Sequence, residues 1–290
     1  MIPRLVLPQG SPLTRRYQAA ARDQRCVVFT GIPGVGKSLM LQQFAIVASR
    51  EGRTVHLLQW DVVRGAFEGH PAGARYPEVD GVTHAAIRRA VGLWARRAVS
   101  EWDRRHPGGE HLLAVEAPLI GDRLASLARV RNDEAEALLG GTSSIFFVPA
   151  PSDEVRRAIE SSRIREARTP RHERERANAA PPLLELLWQD VVRLGVRFGL
   201  AEQEWTGRGY QRDLYVSVYR RLLRDRTAVV LEIDDVLPVT GSPYAFDTVP
   251  VEILPSHRDV DDFLTVVSSL PHGRLRQEAE QWYGDVEEGG

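Results

Sequence analysis

The chain has 290 residues, of which 27% are charged and 43% hydrophobic, and its formal net charge is −1. This length suits one large α/β domain or two small ones, and the composition is that of a globular protein with a sizeable core. A net charge near zero gives no general reason to bind nucleic acid or an anionic membrane, so anion binding must come from local clusters. The single cysteine, Cys26, excludes an internal disulfide and a multi-cysteine metal site.

The N-terminal segment lacks the long apolar core of a signal peptide, and no stretch approaches membrane-spanning length. We therefore expect a cytoplasmic protein with no membrane partner. The charge balance also makes nucleic acid an unexpected partner.

The first strong pattern in the chain is an apolar run followed by a glycine-rich turn and an amphipathic segment. Residues 25–30 are β-branched and aromatic, as a buried parallel strand should be. Residues 38–47 carry apolar side chains at helical spacing. Between them, residues 31–38 match the pattern G-x-x-x-x-G-K-[ST] at every fixed position.

Lys37, in this turn, is the only lysine of the chain, whereas the other 37 basic side chains counted with it are arginine. In the strand–turn–helix context, backbone amides and the helix N-terminus bind phosphate. A compact ammonium fits between two phosphates where a guanidinium does not. We predict that Lys37 contacts the β- and γ-phosphates, that Ser38 ligates Mg²⁺, and that the triphosphate is bound by Gly31, Pro33, Gly34, Val35, Gly36, Lys37, Ser38 and Leu39.

The tighter form of this pattern, G-x-P-G-x-G-K-S, resembles the P-loop kinases of small molecules within the P-loop NTPase superfamily. These include nucleoside and nucleotide kinases, adenylate-kinase-like enzymes and zeta-toxin-like kinases; the pattern also occurs in some AAA+ ATPases. The resemblance implies binding of ATP, or another nucleoside triphosphate, with Mg²⁺.

Four further apolar runs, at 54–60, 111–115, 144–148 and 227–233, alternate with helical patterns. This order predicts an α/β fold with right-handed crossovers. Together with the resemblance, it predicts a three-layer α/β/α domain spanning residues 1–290, with a five-stranded, mostly parallel sheet. We place its core at about 25–235 and a C-terminal extension at 237–290, with loops or a hairpin at 237–256 and helices near 257–269 and 274–283.

Ligands of such sheets lie beyond the carboxyl ends of the strands. Asp61 follows the second run, where an acid resembles the general base of zeta-toxin-like and deoxynucleoside kinases. Arg64, one helical turn later, is a candidate to hold an anionic part of the acceptor. The alternative for Asp61 is an N-cap of a short helix.

Glu116 and Arg123 follow the third run. Glu116 stands where an acid holds Mg²⁺ through water or orients a nucleophile, which makes Glu116 and Asp61 alternative general bases. Asp122 and Arg123 are expected to begin the next helix, with Arg123 as a substrate contact. Both Glu116 and Arg123 have the alternative of solvated charges at helix ends.

Residues 163–176 contain six arginines in fourteen positions, after a helix predicted at 153–162 and before one at 182–194. This order resembles nucleotide and nucleoside kinases, whose lid lies between the same two elements. We expect an arginine-rich lid at about 163–178, with phosphate contacts from Arg163, Arg165 and Arg168. The alternative is a solvated face of Arg–Glu pairs.

The function expected from these features is ATP-dependent transfer of a phosphoryl group to a small molecule, above all a nucleoside or nucleotide. Asp61, Arg64 and Arg123 would bind the acceptor, and Lys37, Glu116 and the lid arginines would take part in catalysis. The loop around Ser242, Pro243 and Tyr244 is a candidate for adenine contact by position. The alternative function is a regulatory ATPase or nucleotide-operated switch without a small-molecule acceptor.

Overall fold

A parallel sheet forms the centre of the computed structural model, which describes residues 5–79, 81–169, 172, 173, 175, 181–202, 209–239, 241–246, 250–271, 275, 277 and 281–283. Within these residues the sheet has six strands in the order β5-β4-β1-β3-β2-β6, and every neighbouring pair is parallel. The strands are β1 Cys26–Thr30, β2 Thr54–Gln59, β3 His111–Ala117, β4 Ser144–Pro151, β5 Ala228–Ile233 and β6 Val251–Glu252.

Helices connect the strands, as parallel pairing requires. They are α1 Pro12–Asp23, α2 Lys37–Arg50, α3 Trp60–Glu68, α4 Ala85–Arg105, α5 Ala135–Leu139, α6 Asp153–Arg168, α7 Pro181–Arg197, α8 Arg212–Leu222 and α9 His257–Ser268. Local sequence explains several boundaries. Ser11 caps α1 by accepting a hydrogen bond from the Thr14 amide, and Ser256 and Asp259 form a capping box at α9.

The central strand β1 sends alternate side chains into two separate cores. Phe29 packs with Tyr17 of α1 and Phe44 of α2, with ring centroids 5.4–6.0 Å apart. Val28 belongs to the other core, which contains Trp94 of α4. Since every residue of β1 is buried, helices cover the strand on both faces, and the glycine-rich turn that follows it is held at a fixed place.

The prediction of an α/β fold with a mostly parallel sheet is confirmed, but the count of five strands is wrong. The sixth strand, β6, lies in the segment expected to form loops or a hairpin, and it pairs with β2 through His56 and Val251. Its two exposed residues at the sheet edge give no periodic signal. Helix α9 confirms the first C-terminal helix, whereas most of 274–283 lies outside the described residues.

A buried ion network fixes the segment that follows the third strand. The fully buried Arg226 pairs with Glu136, and Arg96 pairs with Glu136 at 2.9 Å and with Asp133 at 2.6 Å. The two guanidinium groups also donate to backbone carbonyls, Arg226 to that of Leu127 and Arg96 to those of Ser126 and Arg129. The network therefore holds the loop after β3 against α4 and α5.

We predict that Glu136→Gln destabilises the fold, because it leaves the buried guanidinium of Arg226 without its carboxylate. The expected loss in the free energy of unfolding is about 3–5 kcal/mol. Glu134→Gln is the matched control, since Glu134 is 79% exposed and pairs with Arg104 at 3.5 Å. Denaturant unfolding of the three proteins at neutral pH measures the difference.

The same network gives a pH dependence. Burial opposes ionisation of Glu136, but hydrogen bonds from Arg226 and Arg96 outweigh it and lower the pKa to about 2. A lowered carboxyl pKa stabilises the fold above the ordinary pKa of about 4.5, and this contribution is lost as the pH falls towards 2. Equal stabilities of wild type and Glu136→Gln at neutral pH would contradict both statements.

Candidate functional site

The glycine-rich loop, residues Gly31–Ser38, lies between the end of β1 and the start of α2. Gly34 and Gly36 have φ values of 88° and 87°, in the left-handed region that favours glycine. At Gly31 a Cβ would lie 2.2 Å from the Tyr215 hydroxyl oxygen and 2.8 Å from a methyl of Val35. The spacing of the glycines is thus demanded by backbone geometry and by close packing, and the loop delivers the first turn of α2 to the end of the sheet.

Lys37, Ser38 and Glu116 form one contact cluster at this end of the sheet. The Ser38 hydroxyl donates to Glu116 Oε1 at 2.9 Å, and the Lys37 ammonium lies 4.0 Å from the same oxygen. Lys37 Nζ also donates to the Ile32 carbonyl at 3.1 Å. A buried ammonium, a buried carboxylate and a half-buried hydroxyl therefore converge at the N-terminus of a helix, the arrangement that suits polyphosphate with a divalent cation.

Burial shifts the titration of Lys37. Desolvation lowers its pKa to about 8, opposed by the charge of Glu116 and reinforced by the charge of Arg163. The ammonium thus lacks full charge compensation in this arrangement, and an added anion would supply it.

Glu116 lies within β3, not after it, in register with Phe29 of β1 and Gln59 of β2. Its second carboxylate oxygen, Oε2, accepts a hydrogen bond from Gln59 Nε2 at 3.1 Å. Glu116 is only 7% exposed, so the alternative of a solvated charge is wrong. Gln59, which we did not predict, orients this carboxylate; its place opposite Glu116 became visible only with the strand register.

Asp61 stands in the first turn of α3, two residues after the N-cap residue Gln59, so the N-cap alternative is wrong. Its side chain is 54% exposed, and its charge acts on both Lys37 and Arg123. Asp61 is therefore an accessible carboxylate beside the Lys37 cluster.

Arg64 is occupied by neighbouring acids. Its guanidinium lies 3.4 Å from a carboxylate oxygen of Glu68, 3.2 Å from one of Glu78, and 3.9 Å from one of Asp61. These contacts make Arg64 a brace between α3 and the following loop. The predicted contact between Arg64 and an acceptor would require Arg64 to give up ion pairs with these acids.

Arg123 does not begin a helix, so that prediction is wrong. Leu119, Asp122 and Leu124 have positive φ values of 60–64°, which interrupts helical geometry and leaves short 3-10 turns on either side of Arg123. Such backbone is costly for residues other than glycine and is found most often at functional sites. The loop buries the Arg123 guanidinium, which donates to the Ile120 carbonyl at 3.1 Å.

Arg123 is a buried guanidinium with both positive and negative neighbours. Desolvation lowers its pKa to about 10, and the charge of Arg88 lowers it further, while Asp190 and Asp61 act in the opposite direction. Arg123 is 7% exposed, so the alternative of a solvated charge is wrong here also. A buried guanidinium with incomplete compensation is suited to an anionic ligand.

The arginine-rich segment begins as helix. Helix α6 runs to Arg168, beyond the expected end at Ser162, so the first part of the predicted lid is a continuation of α6. Arg163 and Arg165 line a cavity beside the glycine-rich loop, and the charge of Arg163 acts on Lys37. The side chain of Arg168 and most of the remaining predicted lid lie outside the described residues.

Arg156, which we did not predict, lies against the glycine-rich loop. It is 4% exposed, its guanidinium carbon would lie 3.3 Å from a Cβ at Gly34, and it stacks on the Tyr210 ring at 4.9 Å. Its Nε donates to Glu160, whereas its Nη1 has no hydrogen-bond partner among the described residues. Its position seven residues before Arg163, two turns along one helix face, is the signal that could have found it.

A cavity of about 310 Å³ adjoins the loop. Its walls are mostly apolar and come from α2, α6 and the chain after β5, including Leu39, Met40, Ala158, Ile159, Leu237 and Tyr244. Gln42 donates to the Ser242 carbonyl at 2.9 Å and fixes the loop that carries Tyr244. Tyr244 is half-buried and shares a side-chain hydrogen bond with Ser38. The predicted 242–244 contact thus lies beside the glycine-rich loop, where Pro243 and Tyr244 line the cavity.

No family model matches the chain, and no curated protein matches it. None of the helices in the described part of the chain has both the length and the apolar character needed to cross a membrane.

We predict that binding of Mg-ATP to the site is accompanied by proton uptake at alkaline pH. Lys37 has a pKa of about 8 in the free protein, and an adjacent polyphosphate raises it. Little uptake is expected at pH 7, where the ammonium is already protonated, and nearly one proton per ligand at about pH 9. Calorimetry in buffers of different ionisation enthalpy measures this number.

Affinity should also fall as the pH rises above 8, by up to about tenfold per unit. Arg157→Gln is the control, because it changes an exposed residue of α6 and should leave the proton uptake unchanged. Wild-type binding without uptake at about pH 9 would show that the ammonium does not meet the anion.

A second prediction concerns Arg156. Arg156→Gln should weaken Mg-ATP binding about 10- to 100-fold, because a charge-assisted contact to phosphate contributes about 1.5–3 kcal/mol. Arg157→Gln is the matched control, since Arg157 is the next residue of α6 and is exposed. Calorimetric affinities that are equal for the two variants would remove Arg156 from the site.

Proposed function

We propose that the protein is an ATP-dependent phosphotransferase of the P-loop kinase class, with a three-layer α/β/α fold, that acts on a small anionic molecule, above all a nucleotide. The observation that carries the proposal is the cluster of Lys37, Ser38 and Glu116 at the end of the glycine-rich loop. Its chemistry matches what a triphosphate with Mg²⁺ requires.

Nucleotide binding is assigned to three parts of the site. Backbone amides of the glycine-rich loop and the Lys37 ammonium hold the phosphates, while Ser38 and Glu116 supply the oxygen ligands for Mg²⁺. The apolar cavity beside Leu39 and Tyr244 takes the base. When bound, Mg²⁺ neutralises charge that develops between the β- and γ-phosphates.

Acceptor binding is assigned to the side of the site formed by Asp61 and Arg123. The buried positive charge of Arg123 favours an acceptor with a phosphate or carboxylate, hence a nucleotide over an uncharged nucleoside. Asp61 is accessible and close to Lys37, so it takes the proton of an acceptor hydroxyl as that oxygen bonds to the γ-phosphorus and the bond to ADP breaks. Glu116, which is hydrogen-bonded to Ser38 and Gln59, is better placed to hold the metal than to act as base.

Positive charge on α6 completes the proposed site. Arg156 lies against Gly34, Arg163 lines the cavity beside the glycine-rich loop, and both would stabilise charge on the transferred group. Arg165 lines the same cavity. Exclusion of water by this arginine face would limit the competing hydrolysis of ATP.

The test is a phosphoryl-transfer assay with Mg-ATP and a panel of nucleosides, nucleoside monophosphates and sugar phosphates, read out as phosphorylated product by mass spectrometry. We expect product with an anionic acceptor. Lys37→Ala should lower kcat/KM on the order of 100- to 1,000-fold. Asp61→Asn should lower kcat by a factor of about 100 or more, at unchanged ATP affinity.

Arg123→Lys separates acceptor binding from nucleotide binding. It should raise the acceptor KM about tenfold or more while Mg-ATP affinity stays unchanged, because an ammonium cannot reproduce a bidentate guanidinium contact. Arg157→Gln is again the control.

Hydrolysis of ATP without transfer to any acceptor, together with a nucleotide-dependent change of oligomer, would instead favour the regulatory ATPase. Transfer that survives Lys37→Ala would end the proposal.

A further inference from the structure

Three histidines meet at the end of the sheet remote from the glycine-rich loop. His56 lies in β2, His106 is the C-cap of α4, and His111 is the first residue of β3. Their ring centroids are 4.3–5.2 Å apart, and one potential ligand nitrogen from each lies within 4.8 Å of the others. Among the described residues, these three side chains form the group that could hold a metal ion.

The topology of the sheet produces this cluster. In the parallel pair β2–β3, His56 is opposite Leu113, and His111 lies two residues before Leu113, so both imidazoles are on the same face. Helix α4 packs on that face through Trp102, whose ring meets His56 edge-on at 5.8 Å. Since α4 ends at Arg105, the next residue, His106, is placed over the two strand histidines.

The distances fit a tetrahedral metal site with small side-chain rotation. Imidazole nitrogens bound to zinc at about 2.0–2.1 Å stand about 3.4 Å from one another. His56 Nε2 and His111 Nδ1 are already 3.1 Å apart, joined by a hydrogen bond. Only His106 must move closer, and as a helix-cap residue with a half-buried side chain it has room to do so.

Metal ligation uses the neutral form of an imidazole, whose ring nitrogen offers a lone pair, whereas a protonated cluster would repel a cation. Arg25, whose guanidinium donates to the His106 carbonyl, is itself ion-paired with Asp103.

A cavity of about 650 Å³ adjoins the cluster and gives a path from solvent. Its walls include His56 and His106 and the carboxylates of Glu101, Glu252 and Asp259. A fourth ligand, water or carboxylate, can therefore come from this side. The opposing interpretation is a packed aromatic cluster around Trp102, in which the imidazoles serve only as half-polar core residues.

We propose that His56, His106 and His111 bind one divalent transition-metal ion of the zinc class and that this ion ties the end of α4 to β2 and β3. Three imidazole ligands select Zn²⁺, Co²⁺ or Ni²⁺ over the oxygen-preferring Mg²⁺ and Ca²⁺. The site is separate from the glycine-rich loop, because His111 and Glu116 stand near opposite ends of the same strand.

The experiment is titration of the untagged, chelator-treated full-length protein with Co²⁺ in excess Mg²⁺, followed by the visible absorption of four-coordinate Co²⁺. Excess Mg²⁺ occupies oxygen-ligand sites and leaves imidazole sites available. We expect one Co²⁺ per chain, displaced by Zn²⁺, and a higher midpoint of thermal unfolding with Zn²⁺ than without it.

His111→Ala and His106→Gln should each weaken Co²⁺ binding by at least about 100-fold. Removing a side chain that only supports a metal ligand weakens binding by up to about 100-fold, so removing a ligand itself should cost at least as much. His257→Gln is the matched control, since His257 is an exposed histidine of α9, and its affinity should equal that of the wild type. His106→Gln keeps the test decisive if His111→Ala does not fold, because the cap side chain is not required for strand pairing.

The proposal is overturned if the wild type gives no Co²⁺ absorption at several-fold molar excess of metal, or if both variants retain wild-type affinity. A rise in the midpoint of thermal unfolding on addition of Zn²⁺ to the wild type, but not to His106→Gln, would support an ion that holds the end of α4 to β2 and β3. Loss of kinase activity is not a readout here, so failure of this proposal and failure of the proposed function remain distinguishable.

Discussion

The carboxylate of Glu116 is the contact on which the candidate site depends. It accepts hydrogen bonds from Ser38 at the start of α2 and from Gln59 at the end of β2, and it lies 4.0 Å from the Lys37 ammonium. A buried carboxylate requires such partners, because an isolated charge inside a protein is strongly unfavourable. One side chain of β3 therefore fixes the glycine-rich loop relative to the strand that leads to Asp61.

Several buried positive groups belong to the candidate site. Arg123, Arg156 and Lys37 are each less than a tenth exposed, and burial lowers the pKa values of Arg123 and Lys37 by more than the nearby acids raise them. The left-handed backbone between Leu119 and Leu124 adds a further cost. A fold that maximised its own stability would not keep these features, whereas a site for anionic ligands needs them.

Rigid elements present most of these groups. Arg156 and Arg163 project from one helix, and Arg123 comes from a loop that the Arg226–Glu136 network holds in place. The same strand that carries Glu116 begins with His111, so the proposed metal tie and the proposed phosphate site stand about 16 Å apart along β3. The metal is thus expected to act on stability rather than on phosphoryl transfer.

The sequence by itself determined the glycine-rich loop, the strand before it, the helix after it and the parallel α/β class, because these depend on local backbone geometry and hydrophobic periodicity. Asp61 and Glu116 could be placed near the loop because parallel strands end at a common edge. Only the tertiary structure decided that Gln59 orients Glu116, that Arg156 lies against Gly34, and that His56 meets two histidines from a distant part of the chain. These contacts depend on strand register and on the faces that helices turn to the sheet, and no local pattern encodes either.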